Sequence, residues 1–108
     1  MNNGAEIYGS NTVLSTTTSG QVIDTFSSSA FGTAKYIIQA INGTDIHSTE
    51  VMLMQNGTVV YLTEYANTYT TPLMSVDSTI SGGDVNLTVT PFYINTNIDF
   101  TRTSLVKR

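Results

Sequence analysis

Apolar and polar residues alternate along short stretches of this chain, with a period of two from residue 21 onward. The clearest case is residues 85–90, where three aliphatic side chains alternate with Asn and Thr. This period places successive side chains on opposite faces of a β-strand. It predicts seven strands, over residues 21–26, 34–41, 47–55, 58–64, 73–80, 85–90 and 98–105. No stretch keeps a 3.6-residue period long enough to predict a helix.

The predicted strand over residues 34–41 carries apolar side chains on both of its faces. Tyr36 and Ile38 lie on one face, and Ile37 lies on the other. Strands that are apolar on both faces are typically covered on both sides. We therefore predict that this strand is central and buried on both faces.

Gly-containing turns separate the predicted strands. Asn42-Gly43 and Asn56-Gly57 have the composition of two-residue type I′ hairpin turns, and residues 81–84 form a third turn. Short strands at regular spacing are typical of a sandwich or a small barrel. The fold class that we predict is all-β, an antiparallel β-sandwich (jelly-roll or Ig-like) of about seven strands that spans residues 21–108.

The first 20 residues differ from the rest, because Gly, Ser and Thr dominate them. Such a stretch has little to bury, so we predict that residues 1–20 form an N-terminal arm. This arm nevertheless carries Ile7, Tyr8, Val13 and Leu14. It is either a frayed tail or an arm that orders against a neighbouring subunit.

Composition and charge exclude several classes of protein. Charged residues make up only 11% of the chain, the net charge is −4, and there is no cysteine to form a disulfide. Three of the four basic residues lie within residues 102–108, so no basic stripe is available for nucleic acid. No apolar run approaches the roughly 18 residues of a membrane helix. No secretory signal is visible at the N-terminus, which predicts synthesis in a cytoplasm.

The single histidine, His47, is the obvious candidate for catalysis. In an extended strand Asp45 shares its face but Glu50 does not. We predict that His47 is a solvated strand residue without a catalytic role. One histidine and scattered carboxylates also make a poor metal site, and the alternative is a calcium site at Asp77 and Asp84, which flank the glycine turn. The predicted protein is not an enzyme and has no cofactor or metal.

Tyr65 and Tyr69 fall in the predicted loop after the fourth strand. They either cover an open end of the sandwich or bind a partner, because exposed tyrosines stack on sugars and anchor protein interfaces. Together with the apolar residues of the arm they complete the candidate partner-binding set, which is Ile7, Tyr8, Val13, Leu14, Tyr65 and Tyr69.

Residues 21–102 resemble a β-sandwich module of structural proteins in marine tailed bacteriophages. The resemblance covers about three-quarters of the chain and rests on Ala34-Lys35-Tyr36, Asn42-Gly43-Thr44, Ser48, Glu50-Val51, Asn56-Gly57-Thr58, Tyr61-Leu62-Thr63-Glu64-Tyr65, Ile80-Ser81-Gly82-Gly83, Val85, Leu87, Thr90-Pro91 and Phe100-Thr101-Arg102-Thr103. It implies a virion structural protein that is made in the host cytoplasm and binds other virion proteins and further copies of itself.

The place of such a protein on the virion is open at this point. The short length of the chain favours a capsid decoration protein. In longer proteins the module is appended to tail or fibre components, which makes a tail or fibre component the alternative. That alternative includes a role in binding glycans or the host surface.

Overall fold

A computed structural model describes residues 4–108 and shows two antiparallel sheets packed face to face. Within these residues there are eight strands: β1 (Ala5–Leu14), β2 (Gln21–Ser27), β3 (Phe31–Asn42), β4 (Asp45–Gln55), β5 (Val60–Tyr69), β6 (Met74–Ser81), β7 (Asp84–Pro91) and β8 (Thr96–Val106). The larger sheet has the order β1-β8-β3-β4-β5, and the smaller one has the order β2-β7-β6. The predicted all-β sandwich is confirmed, and all seven predicted strands are present.

Two kinds of connection build the sandwich. Hairpins join β3 to β4, β4 to β5 and β6 to β7 within a sheet, whereas the other connections cross between sheets. The first strand pairs with the last, and the second pairs with the second to last. This nesting is shared with a jelly roll, but β3 and β6 do not pair as they would there, and the strand order also differs from that of an immunoglobulin domain.

The core lies between the sheets, on the faces that the alternation predicts. Val85, Leu87 and Val89 are fully buried, as are Tyr36 and Ile38. These residues are large and apolar, and the removal of their surface from water is the main force that holds the sheets together.

The outer face of β3 differs from the prediction. The strand is central, between β8 and β4, but only its inner face is covered. Ile37 on the outer face is 51% exposed, because no third layer packs on the larger sheet within residues 4–108. Apolar residues on both faces therefore do not mark a doubly covered strand here.

The segment predicted as an arm is a strand of the larger sheet. β1 pairs with β8 along its whole length, from Ala5 opposite Leu105 to Leu14 opposite Thr96. Leu14 is buried in the core, and Val106 donates a backbone hydrogen bond to the carbonyl of Gly4. The physical reason is that β8 would otherwise be an edge with a row of unpaired backbone groups. Because β1 is itself an edge strand, its Ser, Thr and Asn side chains stay in water.

Two of the three turns also differ from the prediction. Asn42 pairs with Asp45, so Gly43 and Thr44 form the β3–β4 turn, with Gly43 at φ 61°. Positive φ at the first central position alone is the pattern of a type II′ turn. Asn56-Gly57 belongs to a four-residue loop in which Asn56 Oδ1 accepts backbone hydrogen bonds from residues 58 and 59. Only the β6–β7 turn at residues 82–83 has positive φ at both central residues.

A buried ion pair connects the two sheets. Arg102 of β8 donates from Nη1 to the carboxylate of Asp24 in β2 over 2.6 Å, and from Nη2 to Glu6 in β1 over 2.8 Å. The Tyr36 hydroxyl of β3 donates to the same Asp24 oxygen over 2.7 Å. Four strands from both sheets therefore meet at this polar cluster.

The surroundings keep Tyr36 protonated and Arg102 charged. Burial raises the pKa of Tyr36, and its hydrogen bond to Asp24 adds to the shift, so the hydroxyl remains a donor. Burial also opposes the charge of Arg102, but attraction to Asp24 outweighs it and the pKa of Arg102 is raised. The guanidinium carbon lies 5.1 to 5.6 Å from three aromatic ring centroids, those of Tyr8, Phe26 and Phe31.

Asp24→Ala is expected to destabilise the domain by about 3–5 kcal/mol, because it leaves the buried Arg102 charge without its main partner. The free energy of unfolding in urea measures this loss. The matched control is Asp84→Ala at an exposed position, with an expected change of about 0.5 kcal/mol or less. A double change, Asp24→Leu with Arg102→Met, should cost less than Asp24→Ala alone, since no charge is left buried. Equal stability of Asp24→Ala and Asp84→Ala would contradict this role.

Gly57→Val is expected to destabilise the domain by about 1–3 kcal/mol, the usual cost of holding a residue with a side chain at an unfavourable φ. Gly57 has φ 94°, and the nearest atom to an added Cβ is the flexible end of Lys107 at 3.6 Å, so the cost comes from the backbone. Thermal or urea unfolding measures it. Gly32→Ala is the control, because Gly32 has no positive φ and an added Cβ makes only an ordinary contact at 3.9 Å. A normal melt for Gly57→Val would show that the loop relaxes without cost.

Candidate interaction surface

The outer face of the five-stranded sheet is the largest uncovered surface of regular structure in residues 4–108. Strand register arranges its side chains in rows that cross the strands in the order β1, β8, β3, β4, β5. From the end that holds the chain termini, the rows are Ala5–Leu105–Thr33–Met54–Tyr61, Ile7–Thr103–Lys35–Met52–Thr63, Gly9–Thr101–Ile37–Glu50–Tyr65 and Asn11–Asp99–Gln39–Ser48–Thr68. The rows change from apolar to polar along the sheet.

The first two rows are rich in exposed apolar side chains. We call this group the terminal patch, and it consists of Ile7, Met52, Met54, Tyr61 and Leu105. Each of them is between 42% and 74% exposed. Lys35 is the only charged residue in these two rows, and its Nζ lies 3.5 Å from Glu50 Oε1 in the third row. The charge of Glu50 is the main reason that the pKa of Lys35 is raised.

The fourth row is polar and internally bonded. The Asn11 side-chain nitrogen donates to Asn97 Oδ1 over 2.6 Å and to Asp99 Oδ1 over 2.8 Å. These bonds fix the orientation of three side chains that stand on paired strands. Because strands are more rigid than loops, the polar groups are held at defined positions.

His47 lies inside the sandwich and not in solvent, contrary to the prediction. It is 2% exposed, its Nδ1 accepts a hydrogen bond from the Leu73 backbone over 3.0 Å, and its Nε2 bonds with Asn67 Oδ1. An Nδ1 that accepts carries no proton, so Nε2 is the donor to Asn67. The histidine thus connects β4 to β5 and to the β5–β6 loop. Both ring nitrogens are occupied by structural partners.

The described residues contain no group of three or more His, Cys, Asp and Glu side chains that could hold a metal ion. Among residues 4–108, no helix has the length and apolar character needed to cross a membrane. The uncovered face presents apolar side chains, amides, hydroxyls and few charges.

Comparison with solved structures identifies a related fold. The tailspike protein gp49 from Acinetobacter baumannii bacteriophage Fri1, a capsular polysaccharide depolymerase, superposes on 93% of this chain with a TM-score of 0.55 and 13% sequence identity. A comparable sandwich occurs in a phage tailspike. This chain spans only 17% of the length of that protein. At this identity the likeness establishes a shared fold and nothing further.

A second tailspike is more distant. The tailspike protein of Acinetobacter baumannii phage AM24 matches 94% of this chain and 26% of its own, with a TM-score of 0.45 and 8% identity. No protein-family model and no curated protein matches the sequence. Both structures come from phages of Acinetobacter baumannii, so the marine origin implied by the sequence resemblance is not supported.

The six predicted partner-binding residues do not form one surface in the structure. Ile7, Val13 and Tyr65 stand on the outer face of the larger sheet and are exposed. Leu14 belongs to the core, so it is not available to a partner.

The other two predicted tyrosines point elsewhere. Tyr8 lies on the inner side of β1 and packs against Phe100, with ring centroids 6.0 Å apart, although it is still 45% exposed. Tyr69 follows an irregularity in β5 and contacts the His47 ring edge-on at 5.1 Å. The predicted loop position of Tyr65 and Tyr69 is wrong, because β5 continues to Tyr69 and contains both residues.

Sequence reasoning missed an apolar loop at the end of the sandwich opposite the termini. Phe92, Tyr93 and Ile94 are 46%, 49% and 62% exposed, between β7 and β8. The loop is well anchored, because Asn42 donates to the Ile94 carbonyl and Thr96 donates to the Tyr93 carbonyl. The available signal was three large apolar residues in succession directly after Pro91, in a stretch that alternation does not place in a strand.

Proposed function

We propose that this chain is a non-enzymatic structural component of a bacteriophage tail or tail fibre. The observation that carries the proposal is the shared fold with a phage tailspike over 93% of the chain. The sequence resemblance to phage structural modules, which rests on different evidence, supports the same class of protein. A position in the virion after synthesis in the host cytoplasm belongs to this proposal.

The tail is preferred to the capsid for a specific reason. Capsid decoration was the first expectation from the length of the chain, whereas the likeness to a solved structure is to a tail protein. In that protein the sandwich accounts for 17% of the length, so it is one part of a larger assembly of domains. A chain of this fold therefore suits a role as one contributing domain or subunit of a tail.

The terminal patch is the proposed attachment surface. It combines two methionines, a tyrosine and two aliphatic residues on a rigid sheet, and Met and Tyr are enriched at protein interfaces. Lys35 and Glu50 next to it neutralise each other, so a partner can cover the patch with little unpaired charge. The partner is another tail protein or a further copy of this chain.

Immunogold electron microscopy tests the location. Gold-labelled antibody against the purified chain should decorate the tails of the phage that encodes it, and mass spectrometry of purified particles should detect the chain. Labelling of the head would instead establish a capsid decoration protein. Absence of the chain from purified particles would overturn the virion role.

A paired substitution tests the attachment surface. Met54→Glu with Leu105→Glu puts two charges into the patch, and burial of unpaired charge at an interface should lower particle occupancy by about tenfold or more. Quantitative mass spectrometry of particles from a complemented deletion strain measures occupancy. Both positions are more than half exposed, so the variant should unfold at nearly the same temperature as the native chain.

The matched control is Ser75→Glu, an exposed position on the smaller sheet, which should leave occupancy unchanged. Full occupancy of the Met54→Glu, Leu105→Glu chain would reject the terminal patch as the attachment surface.

A further inference from the structure

A groove lies on the outer face of the larger sheet, where the third and fourth rows meet. It has a volume of about 500 Å³ and is lined by residues of β1, β3 and β8: Ser10, Asn11, Ile37, Gln39, Asp99, Phe100 and Thr101. Ser10 pairs with Phe100, whose side chain is buried in the core, so these two residues contribute backbone to the groove. The volume lies within the usual range of small-molecule sites, roughly 300–1,000 Å³.

The absence of a side chain at Gly9 deepens the groove. An added Cβ at this position would lie 3.2 Å from the Phe100 carbonyl oxygen and 3.6 Å from Thr101 Cγ2. Any larger residue would project between Ile7 and Asn11 and occupy the depression. The Ile37 side chain, which is 51% exposed, provides an exposed aliphatic surface beside the groove.

The polar groups along one side of the groove keep hydrogen-bonding capacity. Asn11 donates from its side-chain nitrogen to Asn97 and Asp99, and its side-chain oxygen accepts no hydrogen bond within residues 4–108. One oxygen of Asp99 accepts that bond, and the other has no hydrogen bond within residues 4–108. The Gln39 amide and the Thr101 hydroxyl likewise make no side-chain hydrogen bond within the described part of the chain. Both hydrogen-bond acceptors and donors therefore remain available along the groove.

From this arrangement we infer that the groove binds a neutral, hydroxyl-rich carbohydrate. Sugar hydroxyls both donate and accept, and they match an array of amide, carboxylate and hydroxyl groups with free hydrogen-bonding capacity. The C–H face of a sugar ring can pack against the exposed aliphatic side chain of Ile37. This inference goes beyond the proposed tail role, since it concerns an intrinsic property of the isolated domain.

The charges favour a neutral sugar over an acidic one. The one formal charge among the residues that line the groove is the carboxylate of Asp99. Lys35 is the basic residue on the nearby rows, and it is already paired with Glu50. An acidic sugar would therefore meet a negative charge with no available cation to offset it.

NMR titration of the full ¹⁵N-labelled chain tests the inference. The probes are maltotetraose, mannotetraose and chitotetraose at millimolar concentration, with tetragalacturonate as the acidic comparison. At least one neutral probe should shift the amide signals of residues 9–11, 37–39 and 99–101, and tetragalacturonate should not. No localised shift with any neutral probe, or a stronger response to tetragalacturonate, would overturn the inference.

Two single substitutions identify the binding groups. Gln39→Ala and Thr101→Ala each remove a hydrogen-bonding group from the groove, and each should weaken binding about threefold to tenfold. Thr103→Ala is the matched control, because Thr103 stands one row away on the same strand and face and does not line the groove. Unchanged binding by both groove variants, or equal loss with Thr103→Ala, would reject the assignment. Because the measurement uses the isolated chain, its outcome is independent of where the protein lies on a particle.

Discussion

The ion pair between Arg102 and Asp24 is the interaction on which the arrangement of the two sheets depends. Hydrophobic burial drives the sheets together but allows many alignments, because it has no preferred direction. A buried guanidinium requires hydrogen-bond partners at defined positions, and here these come from Asp24 of the smaller sheet and Glu6 of the larger one. The Tyr36 hydroxyl satisfies a further lone pair of Asp24. One alignment of the sheets meets these conditions, and a shift along the strands would leave a buried charge unpaired.

The same cluster explains why the first strand belongs to the domain. Glu6 of β1 is the second partner of Arg102, and the Tyr8 ring packs against the guanidinium. Two residues on the same face of a Ser- and Thr-rich segment therefore contribute to the polar cluster around Arg102. β1 thus has electrostatic and aromatic contacts in addition to its backbone pairing with β8.

Alternation along the chain was sufficient to predict seven strands and the inner faces of most of them, because a half-buried strand must separate apolar from polar positions. It did not predict β1, since most side chains of this edge strand are exposed and leave no clear period. The burial of His47 could have been predicted from the sequence, because alternation places His47 on the same face of β4 as Val51 and Leu53. The groove beside Gly9 could not be predicted from the sequence, since it depends on the register between strands that are distant in the chain.

The two ends of the described chain lie side by side, where Val106 bonds to Gly4 at the open end of the β1–β8 pair. This geometry has a mechanical consequence. A force that pulls on both ends acts at the first rung of one antiparallel ladder, so its hydrogen bonds break one after another, as in a zipper, and do not share the load. A force that enters at one end and leaves through the outer face of the sheet is instead spread over several strands. A fibre that must withstand tension would therefore gain from holding this domain by its sheet face.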